Sequence, residues 1–463
     1  MKSWPEARLW TRHRLSRLAA ALGLALSVML TAQPARAFCG FYVAQADTKL
    51  FNSASRVVLA RQGDQTAVTM ESNYQGAPSS FAMVVPVPTV IRRDQVGVVD
   101  PRLVAHIDAW SAPRLVEYFD PDPCAPPAPS MESRGFAVGD IVVTSQRRSQ
   151  AKALGVTIEA RYAVGEYDIL ILSARQSGGL VIWLKQNGYA MPAGAEPVVG
   201  SYLKQNMKFF VAKINLKRRA KAGSETLRPL QIRFTSRKFM LPIRLGTVNA
   251  KGPQELFIFA LTPRGRVETT NYRTVKLKSD LDIPIYVKTQ FPAFYRATFA
   301  RSVAAEGMRS VFLEHAWSSG SCDPCSAEPL APAESKALGA SWADNEPVFV
   351  TRLHLRYTRA SFPEDLVFQE TADDDNFQAR YVLRHPFTGS TACEQGRAYR
   401  NALVERWDEE ARNLAALTGW RMQDIKTQMR REGARPSASL ETETGWFAVA
   451  WQRISGIWGA IFA

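Results

Sequence analysis

Short apolar runs separated by turn residues fill the first part of the chain. Strands are predicted at Val57–Ala60, Thr66–Met70 and Phe81–Val85, and Gln62–Asp64 is typical of a tight turn between the first two. Because Pro86 follows the third run and proline cannot donate to a strand ladder, we expect a meander that ends in an edge strand.

A second series of strand-like runs occupies the middle of the chain. Strands at Val156–Val164 and Tyr167–Ser173 precede two short helices, the first of which ends at Asn187, next to a glycine that stops a helix well. The segments Val84–Val87 and Met240–Ile243 both place a proline after two apolar residues, a pattern compatible with a degenerate duplication. Later strands are predicted at Met207–Asn215, Pro229–Thr235, Phe239–Val248, Leu256–Leu261, Val267–Leu277, Phe349–Tyr357 and Arg380–Leu383.

Helical periodicity is strongest near the C-terminus. Apolar residues recur every three or four positions over Gln395–Thr418, which predicts a packed helix. Its outer face offers i,i+4 ion pairs between Arg406 and Glu410 and between Asp408 and Arg412. A second helix is predicted over Phe294–Trp317, and short helices broken at Pro113 are predicted over Pro101–Asp120.

These elements predict an α+β fold, with antiparallel strand-rich segments, inserted helices and a helical C-terminal part. Segment boundaries follow changes in pattern and proline-rich stretches. We expect a signal peptide at 1–37, an N-terminal β-rich segment at 38–135, a central α+β segment at 136–285, a helical segment containing Cys322 and Cys325 at 286–435, and a linker with an aromatic amphipathic tail at 436–463.

The first 37 residues predict export. Four arginines, Arg8, Arg12, Arg14 and Arg17, precede an uncharged apolar run, and Ala35 and Ala37 provide the small residues of a cleavage site. We therefore expect cleavage after Ala37 and a location in the periplasm or cell envelope.

The charge balance narrows the classes of partner. The chain has 58 Lys and Arg against 43 Asp and Glu, a net charge of +15. This excess favours anionic neighbours such as lipid headgroups, although a positive surface can also serve solubility alone. Nucleic acid is not an expected partner, because the basic pairs are not interleaved with aromatic residues and the predicted compartment is wrong. A small-molecule ligand cannot be named from the sequence.

All five cysteines follow the predicted cleavage site: Cys39, Cys124, Cys322, Cys325 and Cys393. Thiols outside the cytoplasm usually pair, so we expect one or two structural disulfides with open connectivity. Because five is odd, at least one sulfur is left unpaired or is paired with another molecule. Cys322 and Cys325, two residues apart, are interpreted as part of a structural disulfide, either with each other or with Cys393 or Cys39. A redox-active thiol pair is the alternative.

A metal site is a further alternative for the same cysteines. A tetrahedral set could be drawn from His315, Cys322, Cys325, His385 and Cys393. Oxidation of the cysteines to disulfides competes with metal binding, and we expect no resident metal. The sequence has no hydrolase, zinc-protease, phosphate-loop or dinucleotide motif, so no cofactor is expected either. His106 on a predicted helix and His354 in a strand-like run are interpreted as structural residues.

The C-terminal tail is rich in aromatic residues. Trp446, Phe447, Trp451, Ile454 and Trp458 follow a polar linker, and most of them share one face at helical spacing. Such a face suits a membrane interface, and these five residues are the candidates for membrane contact. The alternative is a helix that docks on the protein itself.

Several segments resemble those of a known family, the uncharacterised bacterial exported proteins catalogued as domain of unknown function 2330. The resemblance is carried by Phe38–Ala44, Tyr118–Cys124, Gly165–Ile169, Cys322–Cys325, Phe362–Leu366 and Arg380–Pro386. It implies an envelope or secreted setting and cysteine-bearing segments that belong to the family pattern. It implies no activity, cofactor or catalytic residue, and the tail after Pro436 lies outside it.

Two functional hypotheses follow from the sequence. The first is a non-catalytic binding or scaffolding protein of the cell envelope, stapled by disulfides and in contact with a membrane surface or another envelope component through its tail. The second is a periplasmic thiol–disulfide oxidoreductase that uses Cys322 and Cys325.

Overall fold

The structure, a computed structural model, describes residues 41–44, 51–75, 81–125, 155–187, 194–222, 227–248, 250, 252–321 and 327–436. These residues form two compact units. The first draws on residues within 41–113, 155–277 and 303–379, and the second on residues within 114–125, 278–302 and 380–436. Each unit is assembled from separate stretches of chain, so neither coincides with one predicted segment.

The described residues contain both helices and strands in similar amounts, which confirms the α+β class. The first ten strands are β1 Phe41–Ala44, β2 Phe51–Gln62, β3 Gln65–Gln75, β4 Phe81–Val87, β5 Val96–Val98, β6 Arg114–Phe119, β7 Val156–Val164, β8 Tyr167–Ala174, β9 Lys208–Ile214 and β10 Leu230–Thr235. The others are β11 Met240–Leu241, β12 Gln254–Thr262, β13 Val267–Thr269, β14 Arg273–Lys276, β15 Leu281–Asp282, β16 Ser310–Ser318, β17 Phe349–Tyr357, β18 Leu366–Glu370, β19 Phe377–Gln378 and β20 Arg380–His385.

The α-helices are α1 Pro101–Ser111, α2 Ser177–Gln186, α3 Ala195–Lys204, α4 Leu216–Ala222, α5 Arg244–Thr247, α6 Val287–Ala305, α7 Pro332–Ala337, α8 Glu394–Thr418 and α9 Met422–Arg431, with a single 3₁₀ turn described at Arg93–Gln95.

Two large sheets form the first unit. The order in one is β1-β4-β9-β8-β7, and the order in the other is β14-β16-β17-β12-β2-β3-β10-β5, with β19 beside β16. Most neighbours are antiparallel, as expected, whereas β2 with β12 and β14 with β16 run parallel. Apolar side chains from both sheets, such as Val57 and Ile232 from one and Val85 and Phe210 from the other, belong to a single core cluster.

The outer faces of these sheets are covered by helices. Along β2, Val57 and Leu59 point into the core between the sheets, whereas Val58 packs with Ile107 and Trp110 of α1. This is the alternation of a strand buried on both faces. Leu180 and other apolar residues of α2 and α3 cover the outer face of the five-stranded sheet. The large core therefore lies between two sheets, each with helices outside.

The second unit is a small sheet with helices. Its strands are ordered β15-β20-β6 and all pair in parallel. Residues of α6, α8 and α9 pack on it, with Phe294, Tyr381, Leu414 and Ile425 in one buried cluster. The predicted helix at Gln395–Thr418 is confirmed as α8.

The edge strand predicted before Pro86 is wrong. β4 is the second strand of its sheet, between β1 and β9, and it does not pair with β3. The proline is tolerated because the ladder between β4 and β1, as described, ends at Val84, so Pro86 has no bond to donate on that side.

Three other predictions of local structure are wrong. Residues 114–119, predicted as helix, form β6, and residues 310–317, also predicted as helix, lie in β16. Both segments are stabilised by strand partners that are distant in sequence, β20 for β6 and β14 and β17 for β16. The strand predicted over Phe239–Val248 is only β11, after which Pro242 leads into the short helix α5.

The outer face assigned to the C-terminal helix also needs correction. Glu410 is 2% exposed, and its Oε1 lies 3.7 Å from Nε of Arg406. Asp408 pairs with Lys426 of α9 at 2.9 Å. The predicted pair between Arg406 and Glu410 exists, but Glu410 is buried in the second unit, and Arg406 also pairs with Asp120 at 2.7 Å.

Candidate functional site: a charged cleft beside an apolar slot

A cleft of about 620 Å³ opens in the first unit between the β2–β3 turn, the segment that follows β10, and β18. This volume is within the range of small-molecule sites, roughly 300–1,000 Å³. We call it the charged cleft, because its walls include the cations Arg61, Arg237, Lys238 and Arg244 and the carboxylates Glu364, Asp365 and Glu370.

Arg61 at the end of β2 fixes one wall of the charged cleft. Its guanidinium donates to the hydroxyl of Thr66 and to the carbonyl of Ser236, both at 2.8 Å, and lies over the ring of Phe239. The amide of Ser236 in turn donates to the carbonyl of Asp64. The segment after β10 is therefore clamped to the β2–β3 turn, where Gly63 adopts a positive φ of 54°.

Asp365 fixes the opposite wall. Its Oδ1 accepts hydrogen bonds from the hydroxyl of Tyr202 at 2.6 Å and from the amides of Ile243 and Arg244 at 2.9 and 3.1 Å. Its Oδ2 accepts from the guanidinium of Arg244. Burial and the adjacent carboxylate of Asp365 raise the pKa of Tyr202, which therefore keeps its proton and donates. Asp365 is thus used to hold the turn before α5 in place.

Two cations on the rim have no such internal role. Arg237 and Lys238 are exposed, and within the described part of the chain neither forms an ion pair. Lys238 donates only one side-chain hydrogen bond, from Nζ to Oε1 of Gln205 at 3.2 Å. Their charges are free to meet a ligand.

The remaining carboxylates differ in their surroundings. Glu364 accepts from Asn271 at 3.3 Å and faces solvent. Burial raises the pKa of Glu370, and the nearby charge of Arg61 opposes this shift without cancelling it. Because Glu370 takes up a proton more readily than an ordinary glutamate, mild acid makes the charged cleft more positive.

A smaller cavity of about 240 Å³ adjoins the charged cleft, and we call it the apolar slot. The two share the lining residues Gln205, Arg237, Lys238 and Met240. Its walls come from β3, the end of β4, β10 and β11, and they include Met70, Val85, Pro86, Met207, Ile232 and Leu241. The two proline-containing segments that resemble each other in sequence, Val84–Val87 and Met240–Ile243, both reach this slot.

The polar groups of the charged cleft divide into those with partners inside the protein and those that are exposed. Four donors saturate Asp365, and the guanidinium of Arg61 bonds to its own hairpin and to Ser236, so neither is placed to move a proton on a ligand. The exposed charged groups that line the two cavities are the cations Arg237 and Lys238 and the carboxylates Glu364 and Glu370, beside an apolar wall. Sequence reasoning missed these residues, although Glu364 and Asp365 lie in the motif Phe362–Leu366 that carries the family resemblance.

The cysteines are only partly described. Cys124 and Cys393 form a disulfide with Cα atoms 5.9 Å apart in the second unit. Sγ of Cys393 also accepts from the amide of Gly396 at the start of α8. This pairing removes Cys393 as a partner for Cys322 or Cys325 and as a metal ligand. Cys39, Cys322 and Cys325 lie outside the described residues, as do the predicted signal peptide at 1–37 and the tail residues Trp446, Phe447, Trp451, Ile454 and Trp458.

The two histidines that were interpreted as structural lie in polar networks of the first unit. His106 contacts Glu334 at 3.1 Å through Nδ1 and the carbonyl of Glu328 through Nε2. His354 is buried, with Nδ1 2.9 Å from Glu314 and Nε2 3.9 Å from Glu255. Burial lowers the pKa of His354, but the two carboxylates outweigh it and the net shift is upward.

A metal site was the alternative for the cysteines, and membrane contact was an expectation for the C-terminal tail. Among the described residues, no group of three or more His, Cys, Asp and Glu side chains is arranged to hold a metal ion. In the same part of the chain, no helix has the length and apolar character needed to cross a membrane.

A family model described as an uncharacterised protein conserved in bacteria, domain of unknown function 2330, matches residues 33–369. The match covers most of the chain, which therefore belongs to this family. It contains every residue that lines the charged cleft and the apolar slot except Glu370, and it ends before Arg380–Pro386, which the motif resemblance includes. Neither the curated proteins nor the solved structures yield a match.

Proposed function

We propose that this family member is an exported, non-catalytic binding protein of the cell envelope, and that the charged cleft is its ligand site. The observation that carries the proposal is the rim formed by Arg237 and Lys238. These are two exposed cations that form no ion pair with any described residue, on a segment that Arg61 and Ser236 hold in place. Pre-organised cations of this kind bind anions without a large ordering cost.

Export is supported by the pattern of residues 1–37 and by the chemistry of the cysteines. A disulfide between Cys124 and Cys393 is compatible with an oxidising compartment, where such bonds persist. The aromatic tail adds a candidate contact with the membrane surface.

The binding proposal is tested by calorimetric unfolding of the mature chain in the presence of ethyl phosphate. This probe carries the anion with almost no apolar surface. A ligand that binds only the folded state raises the melting temperature, with about 2.7 kcal/mol of stabilisation at 100 times its Kd. We expect ethyl phosphate to raise the transition of the first unit in the wild type and not in R237E/K238E.

A matched control is available on the same strand. Arg233 in β10 is exposed and lines neither cavity, so R233E introduces the same kind of charge change away from the site. R233E should respond to ethyl phosphate like the wild type. Equal responses of the wild type and R237E/K238E would contradict an anion site at this rim.

Thiol–disulfide exchange is a separate, second proposal for Cys322 and Cys325. Because Cys393 is bonded to Cys124, the partners within the chain for these two cysteines are each other and Cys39. Thiol counting by mass spectrometry before and after mild reductant discriminates the proposals. A Cys322–Cys325 bridge that opens readily favours exchange chemistry, whereas one that resists reduction favours a structural role.

A further inference from the structure

The apolar slot is continuous with the rim on which the proposed function depends. Met240 lines both cavities, and Arg237 and Lys238 stand where the two meet. A single ligand can therefore touch the cations and the apolar wall at once. From this juxtaposition we infer that the ligand of the charged cleft is a single-chain anionic amphiphile, with its head on Arg237 and Lys238 and its chain in the apolar slot. This inference rests on the proposed function.

The walls of the slot are part of the main core. Met70, Val85, Ile232 and Leu241 are each 5% exposed or less and belong to the cluster between the two sheets. A chain that enters the slot is therefore removed from water and contacts apolar side chains on several sides. Methionines contribute to this lining at Met70, Met207 and Met240, and their flexible thioethers adapt to a chain that lacks one fixed shape.

The volume of the apolar slot limits the kind of apolar group that a ligand can place in it. A space of 240 Å³ equals that of about eight water molecules at ~30 Å³ each. This accommodates part of one unbranched chain more readily than two chains side by side or a fused ring system. The opening toward the charged cleft, which is larger, leaves room for the head and for further polar groups.

The charged residues at the mouth of the apolar slot determine which charge the head group of the ligand carries. Arg244 pairs with Asp365, and Arg61 pairs with Asp64 at 3.5 Å and donates to the carbonyl of Ser236, so the exposed cations that remain for a ligand are Arg237 and Lys238. Glu364 is the acidic residue on the exposed side, and Asn271 donates to it. Two adjacent cations favour a phosphate over a carboxylate of single charge.

The test is a chain-length series measured by isothermal titration on the mature chain, below the micelle concentration of each probe. The probes are ethyl, butyl, hexyl and octyl phosphate. Each methylene that enters the slot should raise the affinity by about fourfold until the slot is filled. Octanoate should bind more weakly than octyl phosphate, and octyltrimethylammonium should not bind.

Variants separate the head site from the slot. M240W narrows the slot and should abolish the dependence on chain length, and M240L is the matched control that should preserve the dependence. R237E/K238E should lose at least tenfold in affinity for every phosphate in the series. If M240W does not fold, the series on the wild type decides the question.

Failure of this inference is distinct from failure of the proposed function. A protein that binds ethyl phosphate through Arg237 and Lys238, with equal affinity for all four chain lengths, keeps the proposed function and overturns the amphiphile. A protein that binds no member of the series overturns both. Equal binding of octyltrimethylammonium and octyl phosphate would leave a purely apolar site and overturn the anionic head.

Discussion

At the scale of single residues, a few buried polar side chains determine the shape of the charged cleft. Asp365 joins α3, the turn before α5 and β18 through its bonds to Tyr202, Ile243 and Arg244. If one partner of a buried ion pair is removed, the remaining groups stay buried without their hydrogen bonds. The stability lost in this way exceeds what the intact pair contributes relative to an apolar replacement.

D365A should therefore destabilise the first unit by about 3–5 kcal/mol, as is usual when one partner of a buried pair is lost. Y202F removes only the hydroxyl and should cost about 1 kcal/mol. Denaturant unfolding followed by calorimetry of the same variants measures both. Equal stabilities of D365A and Y202F would show that Asp365 does not anchor the wall.

Glu410 of α8 makes the second unit sensitive to pH. Burial raises the pKa of Glu410 from 4.5 to about 8. The charge of Arg406 opposes this shift, and the carboxylates of Asp282 and Asp120 add to it. The folded state keeps this proton while the unfolded chain releases it near pH 4.5. Stability of the second unit should thus fall as pH rises from about 4.5 to about 8, by about 1.4 kcal/mol per pH unit, and level off above that range.

E410Q should remove this slope, because glutamine stays neutral in both states. The melting temperature of the second unit, recorded by calorimetry between pH 5 and pH 9, checks the expectation. The variant should be more stable than the wild type at pH 8.5 and similar to it at pH 5. A wild-type profile that rises with pH over this range would be the opposite of what the geometry predicts.

At the scale of elements, the local hydrophobic pattern was sufficient to predict those segments that show a clear helical or strand periodicity. The alternating runs at Val156–Val164 and Phe349–Tyr357 and the long amphipathic α8 are present as predicted. The local pattern failed for segments whose conformation depends on strand partners that are distant in sequence. β16 is apolar and buried along most of its length, and a short apolar run of this kind cannot be distinguished from a buried helix by periodicity.

The apolar slot could not be predicted for a related reason. The sequence shows that Val84–Val87 and Met240–Ile243 resemble each other, but it does not show that the end of β4 lies beside β10 and β11. The strands β4 and β10 belong to different sheets, so their proximity is a consequence of sheet packing. The Asp365 network likewise joins residues 163 positions apart in the chain.

The disulfide links two elements of the second unit, the segment after β6 and the start of α8. Removal of a native disulfide typically costs 2–5 kcal/mol, so C124S/C393S should lower the stability of the second unit by about 2–4 kcal/mol. Peptide mapping without reductant should recover a peptide pair that contains Cys124 and Cys393. A map in which either cysteine is bonded to Cys322 or Cys325 would contradict the described connectivity.

At the scale of the whole molecule, the predicted location and the net charge of the chain bear on which ligands can reach the site. If the chain is exported and cleaved as proposed, its net charge would be +10, and long-range attraction would favour anionic ligands at the rim. The sequence favours anionic neighbours, and the envelope setting stays a prediction. It could not locate the site, because Arg237 and Lys238 look like any other exposed pair until the fold places them between two cavities.

Export itself has a direct test. Expression in a bacterium, followed by fractionation and mass spectrometry of the intact chain, should find a protein that begins at Phe38 in the envelope fraction. Deletion of 436–463 should reduce its partition into membranes if the tail contacts them. A full-length chain that keeps residues 1–37 and stays in the cytoplasm would exclude the envelope setting.

The central claim is that one anionic amphiphile occupies the charged cleft and the apolar slot together. A crystal structure of the mature chain with octyl phosphate tests it most directly. We expect a phosphate within hydrogen-bonding distance of Arg237 and Lys238 and an alkyl chain between β4 and β10, in contact with Met240. A phosphate bound elsewhere, or a chain that extends into solvent while the slot stays closed, would contradict it.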